Sequence, residues 1–393
     1  MTRALAYQKG IDLLKTCSSE QGFLASAQAI SNYKRVWARD GVICGLAALA
    51  SGDVQLIDTF KRTLQTLAKH QHSSGTIPSN VAYSENGVEV SYGGLAGRVD
   101  AVTWYIIGHC QYAHAAQNPS WIRQYQKSIE HCFDLLQAWE FNNKHLVYVP
   151  LSGNWADEYI TEGYVLYDQL LRLWSLKAYN HFVQSNQIKQ KIAEVTQAIQ
   201  ANFFPDNTLE KFHPRAYEAH SFEGFLPCCF TPAGYKKPFD AFAHALLLML
   251  DITSEDLKNQ IVSQFKQHIQ NQPLGLAPAF WPPITPEDAE WFLLENNCKY
   301  EFRNHPYEFH NGGSWPMVNG FVGLVLNSCK ASGLAVDLLE KMNQANAQKN
   351  NAFYENFNSQ TAQPNGVPEC AWSAAGAVLL HQNLNHHFNL LHS

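Results

Sequence analysis

Carboxylates beside aromatic residues recur in this chain, and two of them have the surroundings of a catalytic pair. Asp157 lies in SGNWADEY beside Trp155 and Tyr159, and Glu355 lies in FYENF. Cleavage of a glycosidic bond needs one protonated carboxyl to release the leaving oxygen and one ionised carboxylate to activate water or attack. We predict that apolar neighbours raise the pKa of Asp157 and keep it protonated, whereas a polar, Asn-rich turn keeps Glu355 ionised. Asp157 is then the acid and Glu355 the base.

Six short stretches combine a carboxylate with Trp, Tyr, Phe or Gly. A concave site of this composition suits a sugar, because aromatic faces pack against the C–H surface of a sugar ring and carboxylates accept hydrogen bonds from hydroxyls. We call these stretches the mouth loops; they span residues 33–40, 92–100, 151–159, 212–224, 307–316 and 353–366. From them we predict Trp37, Arg98 and Trp155 as substrate contacts.

Several carboxylates have a second interpretation. Asp40, Asp100 and Asp240 stand where the N-cap of a helix belongs, and capping is a common reason for an aspartate there. Glu158, next to Asp157, and Glu369, just after the last mouth loop, compete as catalytic candidates. Glu369 falls within a predicted inner helix, which favours a buried hydrogen-bonding role.

Two kinds of helix alternate along the chain. The first kind is apolar nearly all round and therefore predicted to be buried on every side; its members span 40–50, 98–113, 164–178, 239–250, 316–329 and 367–380. The second kind has one polar face; its members span 4–16, 54–70, 120–139, 187–201, 254–269 and 336–348. Strand patterns are confined to short pieces such as Gly87–Ser91 and His145–Pro150.

This alternation predicts an all-α fold, the (α/α)6 barrel, as a single domain over residues 1–393. Six inner helices form a ring and six outer helices surround it. The inner helices run in one direction, so the mouth loops preceding them gather on one face. The third and sixth loops are opposite each other, so Asp157 and Glu355 suit the separation of about 6.5–9.5 Å that an inverting mechanism requires.

Composition excludes several function classes. Lys and Arg number 28 against 34 Asp and Glu, a net charge of −6 that is not typical of nucleic-acid binding. No apolar run reaches about 18 residues, so we expect no membrane span. The nine cysteines form no CxxC pair, and the N-terminus lacks the apolar run of a secretory signal. We therefore expect a cytoplasmic protein with free thiols, a small carbohydrate as its partner, and neither metal nor cofactor.

A family resemblance agrees with these predictions. HNGGSWP at 310–316 resembles the signature of the alkaline and neutral invertases, glycoside hydrolase family 100. The stretches at 37–40, 99–106, 239–248 and 315–326 are similar to pieces of the wider clan of glycogen-debranching enzymes and α-glucosidases. The resemblance extends over most of the chain in order.

The resemblance implies roles for individual residues. The Asp before the third inner helix is the acid in such enzymes and falls on Asp157, and the base falls on Glu355. Positions near the sugar fall on Arg39, Asp40, Asp100, His310 and Trp315. It implies an inverting hydrolase of an α-glucoside, either sucrose or a small oligosaccharide, and it leaves a homo-oligomer open. At 155–158 and 353–358 the sequence differs from that of the invertases. These differences bear on sucrose as the substrate and not on the predicted fold.

Three other functions remain open at this stage. Sugar 2-epimerases use the same barrel with histidine acid/base catalysis, and His213, His220 and His310 all lie in mouth loops. A zinc enzyme would need Cys228, Cys229, Cys298 and His310, although adjacent cysteines are poor co-ligands. A sugar-binding protein without activity is the third, and the presence of both Asp157 and Glu355 argues against it.

Overall fold

The computed structural model describes residues 2–205, 207–386 and 389–392, and helices dominate it. In chain order the helices are α1 (Arg3–Thr16), α2 (Ala38–Ser51), α3 (Val54–Lys69), α4 (Val99–Ala115), α5 (Pro119–Ala138), α6 (Leu166–Val183), α7 (Asn186–Phe203), α8 (Pro214–Ala219), α9 (Ala241–Leu250), α10 (Glu255–Gln270), α11 (Trp291–Asn296), α12 (Pro316–Ser328), α13 (Ser332–Asn346), α14 (Gln348–Asn351) and α15 (Ala371–His386). A 3₁₀ turn, Lys299–Glu301, follows α11.

Six of these helices close into a ring. Contacts join α2 to α4, α4 to α6, α6 to α9, α9 to α12, α12 to α15, and α15 back to α2. Each inner helix also packs against at least one outer helix, as in the pairs α15–α1, α2–α3, α4–α5, α6–α7, α9–α10 and α12–α13. The predicted (α/α)6 barrel is therefore confirmed.

The sequence explains both layers. Inner helices such as α9, AFAHALLLML, bury nearly every residue because another helix or a loop covers each side. Outer helices bury one stripe; in α3 the stripe includes Leu56, Phe60, Leu64 and Leu67. The N-cap of α3 is Asp53, whose carboxylate accepts from the backbone N–H of Leu56 at 3.1 Å. This alternation of exposure is the physical basis of the two-layered ring.

Short strands occur only in the connections of the described chain. They are β1 (Ser18–Ser19), β2 (Gly22–Phe23), β3 (Val36–Trp37), β4 (Asn80–Ser84), β5 (Gly87–Ser91), β6 (Tyr164–Val165), β7 (Cys229–Thr231), β8 (Gly234–Lys236), β9 (Phe239–Asp240), β10 (Phe280–Trp281), β11 (Asn356–Phe357) and β12 (Pro364–Asn365). All strand pairs are antiparallel, in the sheets β1–β2, β9–β10, β11–β12, β3–β4–β5 and β6–β7–β8.

One predicted strand is confirmed and the other is wrong. Gly87–Ser91 is β5, paired in register with β4. Residues 145–150 form no strand, and their pairing is a single bridge between Val149 and Gly163. The side-chain amide of Gln169 satisfies the backbone of Val147 instead: its Oε1 accepts from the N–H and its Nε2 donates to the carbonyl, each at 2.9 Å. A side chain from α6 therefore takes the place of a partner strand.

The first and last helices belong to the same part of the ring, because α1 packs on α15. This closure supports a single domain over the whole chain, which stays a prediction. No helix among the described residues is both long and apolar enough to cross a membrane.

Candidate active site

A cavity of about 1290 Å³ opens at the end of the barrel where the inner helices begin. Five of the six mouth loops contribute to its walls. The fourth, residues 212–224, does not, because it folds into α8 and packs on a neighbouring hairpin, where His220 stacks on Tyr235. The prediction that all six loops share one mouth is wrong for this loop.

The cavity brings together nine of the ten residues predicted for the site. These are Trp37, Arg39, Asp40, Arg98, Trp155, Asp157, His310, Trp315 and Glu355. Asp100 lies behind the wall, fully buried, where its Oδ2 accepts from Nη1 of Arg39 at 2.9 Å and from the hydroxyl of Tyr167 at 3.3 Å. Asp100 therefore holds Arg39 in place and does not face the cavity.

Asp157 is held by an ion pair at the open side of the cavity. Its Oδ2 accepts from Nη2 of Arg98 at 2.7 Å, and its side chain is 30% exposed. Trp155 and Tyr159, the expected apolar neighbours, both stack on Phe280 instead. The partner that positions Asp157 is thus a cation from the second mouth loop, and no sequence signal indicated it.

Glu355 lies at the closed side, only 4% exposed. The hydroxyl of Tyr33 donates to its Oε1 at 2.8 Å, and the backbone N–H of Val367 donates to Oε2 at 3.3 Å. Burial raises the pKa of Glu355 to about 7, and the hydrogen bond from Tyr33 opposes this rise. The expectation of a fully ionised carboxylate in a polar turn is therefore wrong, since this turn is folded into the barrel.

The competing carboxylates have other surroundings. Glu158 is ion-paired with Arg303, whose Nε lies 3.2 Å from Oε2, and burial raises the pKa of Glu158. Glu369 lies before α15 rather than in it, and it is partly exposed, so the prediction of a buried helical residue is wrong. Asp240 does cap a helix, accepting from the N–H of Ala243 at 2.9 Å.

Asp40 is not a cap. It stands in the first turn of α2, where Trp37 occupies the N-cap position. Its carboxyl is buried in the cavity wall, with Nε of Arg39 at 3.9 Å. Burial raises the pKa of Asp40 to about 6, and the charge of Arg39 opposes the rise. A buried carboxyl of this kind can accept hydrogen bonds from sugar hydroxyls.

His310 belongs to an aromatic wall. Its ring stacks on Trp315 with centroids 5.0 Å apart and meets the edge of Trp155 at 5.1 Å. Burial lowers the pKa of His310 to about 3, so the imidazole is neutral at physiological pH. It can orient a hydroxyl, but it is a poor general acid.

The walls of the cavity carry buried donors without a hydrogen-bond partner in the described chain. They are Nε of Arg39, Nε of Arg98 and the indole N–H groups of Trp155 and Trp372. An unpaired buried donor costs free energy, so a site with several of them is suited to a ligand rich in oxygen. Sugar hydroxyls have this chemistry.

One wall of the cavity comes from residues outside the predicted mouth loops. Residues 296–303 line it, and Tyr33 and Trp372 also contribute. The segment is fixed to the third mouth loop, since the amide of Asn297 donates to the carbonyl of Tyr159 at 3.1 Å and that of Asn304 to the carbonyl of Glu158 at 3.0 Å. The stretch KYEFR at 299–303 mixes charges and aromatics as the mouth loops do. The fifth loop was therefore bounded several residues too late.

The sequence profile of the alkaline and neutral invertases matches residues 12–210, about half of the chain. This match includes the first three mouth loops and Asp157. The chain belongs to this family, glycoside hydrolase family 100. It is accordingly an O-glycosyl hydrolase. No curated protein sequence matches it.

Solved glycosidases share the fold. The mannosylglycerate hydrolase of Thermus thermophilus, a family 63 enzyme solved with Tris, superposes with a TM-score of 0.67 at 13% identity, over 95% of this chain and 99% of that one. Its complex with glucose gives 0.66 at 12% identity, with the same coverage. A bacterial glucoamylase with acarbose gives 0.64 at 15% identity, over 98% of this chain and 56% of that one.

Membership in a glycoside hydrolase family argues against the three other functions that the sequence left open: a sugar epimerase, a zinc enzyme and a sugar-binding protein without activity. The epimerase interpretation needs several histidines in the cavity, but among the described lining residues His310 is the only one. The described chain also contains no group of three His, Cys, Asp or Glu side chains that could hold a metal ion. Cys228, Cys229, Cys298 and His310 therefore do not form the zinc site considered above.

Proposed function

We propose that this glycoside hydrolase cleaves an α-glucoside with inversion, using Asp157 as the acid and Glu355 as the base. The observation that carries the proposal is that these two carboxyls, from the third and sixth mouth loops, line one cavity whose walls present unpaired donors. The family name supports sucrose as one substrate, and the bound acarbose and glucose of the structural neighbours support a glucosyl unit.

The geometry of the cavity supports this distribution of roles. Asp157 is the more exposed carboxyl and stands on the open side, where a leaving group can depart. Glu355 accepts hydrogen bonds on both of its oxygens, which suits an ionised base, and a pKa of about 7 places it close to the pH at which it would work. Asp157 serves as the acid only when its ion pair with Arg98 opens as the sugar enters.

The reaction then has a simple balance. Asp157 donates its proton to the glycosidic oxygen, and the bond between this oxygen and C1 of the sugar breaks. Water attacks C1 from the opposite face and gives a proton to Glu355. The remaining binding residues, Arg39, Asp40 and His310, hold hydroxyls of the sugar in the closed part of the cavity. The products are the free alcohol and β-glucose.

Substitution of the two carboxyls tests the proposal. Asp157→Asn and Glu355→Gln should each lower kcat by at least about 10²–10⁴-fold, because each removes a general acid or base. α-D-Glucosyl fluoride needs little protonation, so it should partly restore turnover in Asp157→Asn but not in Glu355→Gln. Azide should restore the base variant and give an inverted azide product. Restoration in the opposite order would exchange the two roles, and full activity in both variants would refute the assignment.

A substrate panel identifies the sugar. Sucrose, trehalose, maltose, isomaltose, glucosylglycerate and mannosylglycerate should be compared by kcat/KM, with proton NMR to follow the first anomer released. We expect hydrolysis of a glucoside with β-glucose appearing first. Retention of configuration, or activity on the mannoside alone, would contradict the proposal.

A further inference from the structure

The two ends of the cavity differ in chemistry. The closed end holds Arg39, Asp40, His310 and Glu355, all buried and polar. The open end combines the charged groups of Arg98, Asp157, Lys299 and Glu301 with exposed apolar side chains, among them Leu95, Leu151 and Tyr300. The open end therefore offers a ligand apolar surface beside its charged groups.

Leu95, Leu151 and Tyr300 lie on segments that are connected to each other near Asp157. Arg98, which pairs with Asp157, also donates from Nη1 to the carbonyl of Ala96 at 3.0 Å, so the 93–98 loop that carries Leu95 is tied to this carboxylate. The hydroxyl of Ser152 lies 3.3 Å from Oδ1 of Asn297, which joins the loop of Leu151 to the segment of Tyr300. Leu95, Leu151, Tyr300 and the proposed acid therefore share one part of the cavity.

Two of these side chains are almost entirely exposed. Leu95 is fully exposed and Tyr300 is 92% exposed. Ten large apolar side chains are exposed among the described residues, and four of them line this cavity. Single exposed apolar residues are ordinary, but a group around a concave mouth is typical of a binding surface.

We propose that this end binds an apolar leaving group, so that the preferred substrates are α-glucosides of aryl or alkyl alcohols. The inference rests on the proposed function, because the leaving group lies next to the acid that protonates it. In the reaction the C1–O bond breaks, Asp157 supplies the proton of the released alcohol, and water supplies the hydroxyl of glucose. The apolar part of the alcohol then packs against Leu95 and Tyr300.

Benzyl and methyl α-D-glucopyranoside form a suitable pair of substrates, since their alcohols have similar acidity and differ mainly in apolar surface. The wild-type enzyme should show a kcat/KM about tenfold or more higher for the benzyl glucoside, as expected from partial burial of a phenyl ring. Leu95→Ser and Tyr300→Ser should each lower this ratio several-fold, and the double variant should bring it to about twofold or less. Val54→Ser and Phe141→Ser, at exposed apolar positions outside the cavity lining, are the matched controls and should leave it unchanged.

α-D-Glucosyl fluoride separates this inference from the proposed function, because its leaving group is too small to reach the apolar end. If the wild-type enzyme does not hydrolyse the fluoride, the proposed function fails. If it hydrolyses the fluoride but shows no preference for the benzyl glucoside, only the present inference fails. The inference is also overturned if Leu95→Ser and Tyr300→Ser slow the fluoride as much as the benzyl glucoside, or if they convert a dimer to a monomer in size-exclusion chromatography, which would assign the surface to a second copy.

Discussion

Tyr33 and Glu355 are the residues whose contacts bear most directly on the proposed chemistry. A buried carboxyl with a pKa near 7 is costly to ionise, yet a base must ionise. The hydroxyl of Tyr33 reduces this cost by donating to Oε1 at 2.8 Å. Tyr33 therefore acts as a positioning residue that also adjusts the protonation of the base.

The pH profile of Tyr33→Phe should reveal this role. Activity that depends on ionised Glu355 should rise with pH through about 7 in the wild type. Loss of the hydroxyl removes a hydrogen bond that favours the carboxylate, so the pKa of Glu355 should increase and the rising limb of kcat/KM should move to higher pH. Tyr83→Phe is the control, since Tyr83 bonds His70 outside the cavity, and its profile should match the wild type. An unshifted limb in Tyr33→Phe would contradict the prediction.

The same carboxyl should make the protein less stable at high pH than a neutral substitute would. The folded-state pKa of about 7 exceeds the ordinary value of 4.5, so the wild type loses stability as the pH rises from 4.5 through 7. Glu355→Gln should therefore increase the free energy of unfolding above pH 7 by up to about 3 kcal/mol, at about 1.4 kcal/mol for each pH unit. The gain should vanish near pH 4.5.

Urea unfolding at pH 5 and pH 8 measures this difference. The surface variant Glu85→Gln serves as the control and should show no comparable change between the two values. An equal effect of Glu355→Gln at both pH values would mean that the side-chain amide, rather than the lost charge, determines the result.

Two inner helices, α12 and α15, pack closely, and the distance between them fixes the position of the last mouth loop in the cavity wall. Gly320 of α12 and Gly376 of α15 face each other, and a Cβ built on Gly320 would lie 2.5 Å from the Cα of Gly376. The backbone at Gly376 cannot make room for this Cβ unless one of the two helices moves. The two glycines therefore set the distance between α12, which follows His310 and Trp315, and α15, which follows Glu355.

Gly320→Ala should consequently destabilise the protein by about 1–3 kcal/mol or more, as overpacked cores do, and should lower kcat because α15 and the loop of Glu355 shift. Gly333→Ala is the matched control, because a Cβ on Gly333 in α13 meets nothing within 4 Å. Its effect should be neutral or slightly stabilising, since alanine favours a helix. Thermal melting and sucrose or fluoride turnover measure the two effects. Equal behaviour of both variants would show that the contact does not matter.

The six inner helices of the molecule form a closed ring, although the chain itself is linear. The first helix packs on the last inner helix, and both neighbours of α15 in the ring, α2 and α12, come from opposite halves of the chain. Each half of the chain therefore lacks part of its core without the other half.

A cytoplasmic location stays a prediction, as does the assembly state.

Because the two halves depend on each other, the chain should unfold as one unit. Circular dichroism at 222 nm and near-ultraviolet signals from the ten tryptophans should give coincident thermal transitions. Two separate transitions would contradict the single domain.

Residue patterns alone were enough to predict the ring of helices and the five mouth loops that line the cavity. A helix that is buried on all sides is apolar nearly all round, and a helix that is buried on one side has a single apolar stripe. These two patterns alternate six times along the chain. Because every inner helix must begin at the same face, the loops before them could be grouped in advance. Nine of the ten predicted residues line the cavity; five were chosen from these loops, and the family resemblance indicated the other four.

The environment of each carboxyl depends on contacts that form only when the chain folds. The letters around Asp157 suggested aromatic neighbours, but its partner is Arg98, 59 positions away in the chain. The residues around Glu355 predicted a polar, solvated turn, but the hydroxyl of Tyr33, 322 positions away, donates a hydrogen bond to its carboxylate. A pKa depends on burial and on charges within a few ångströms, and such neighbours come from distant segments that no local pattern records.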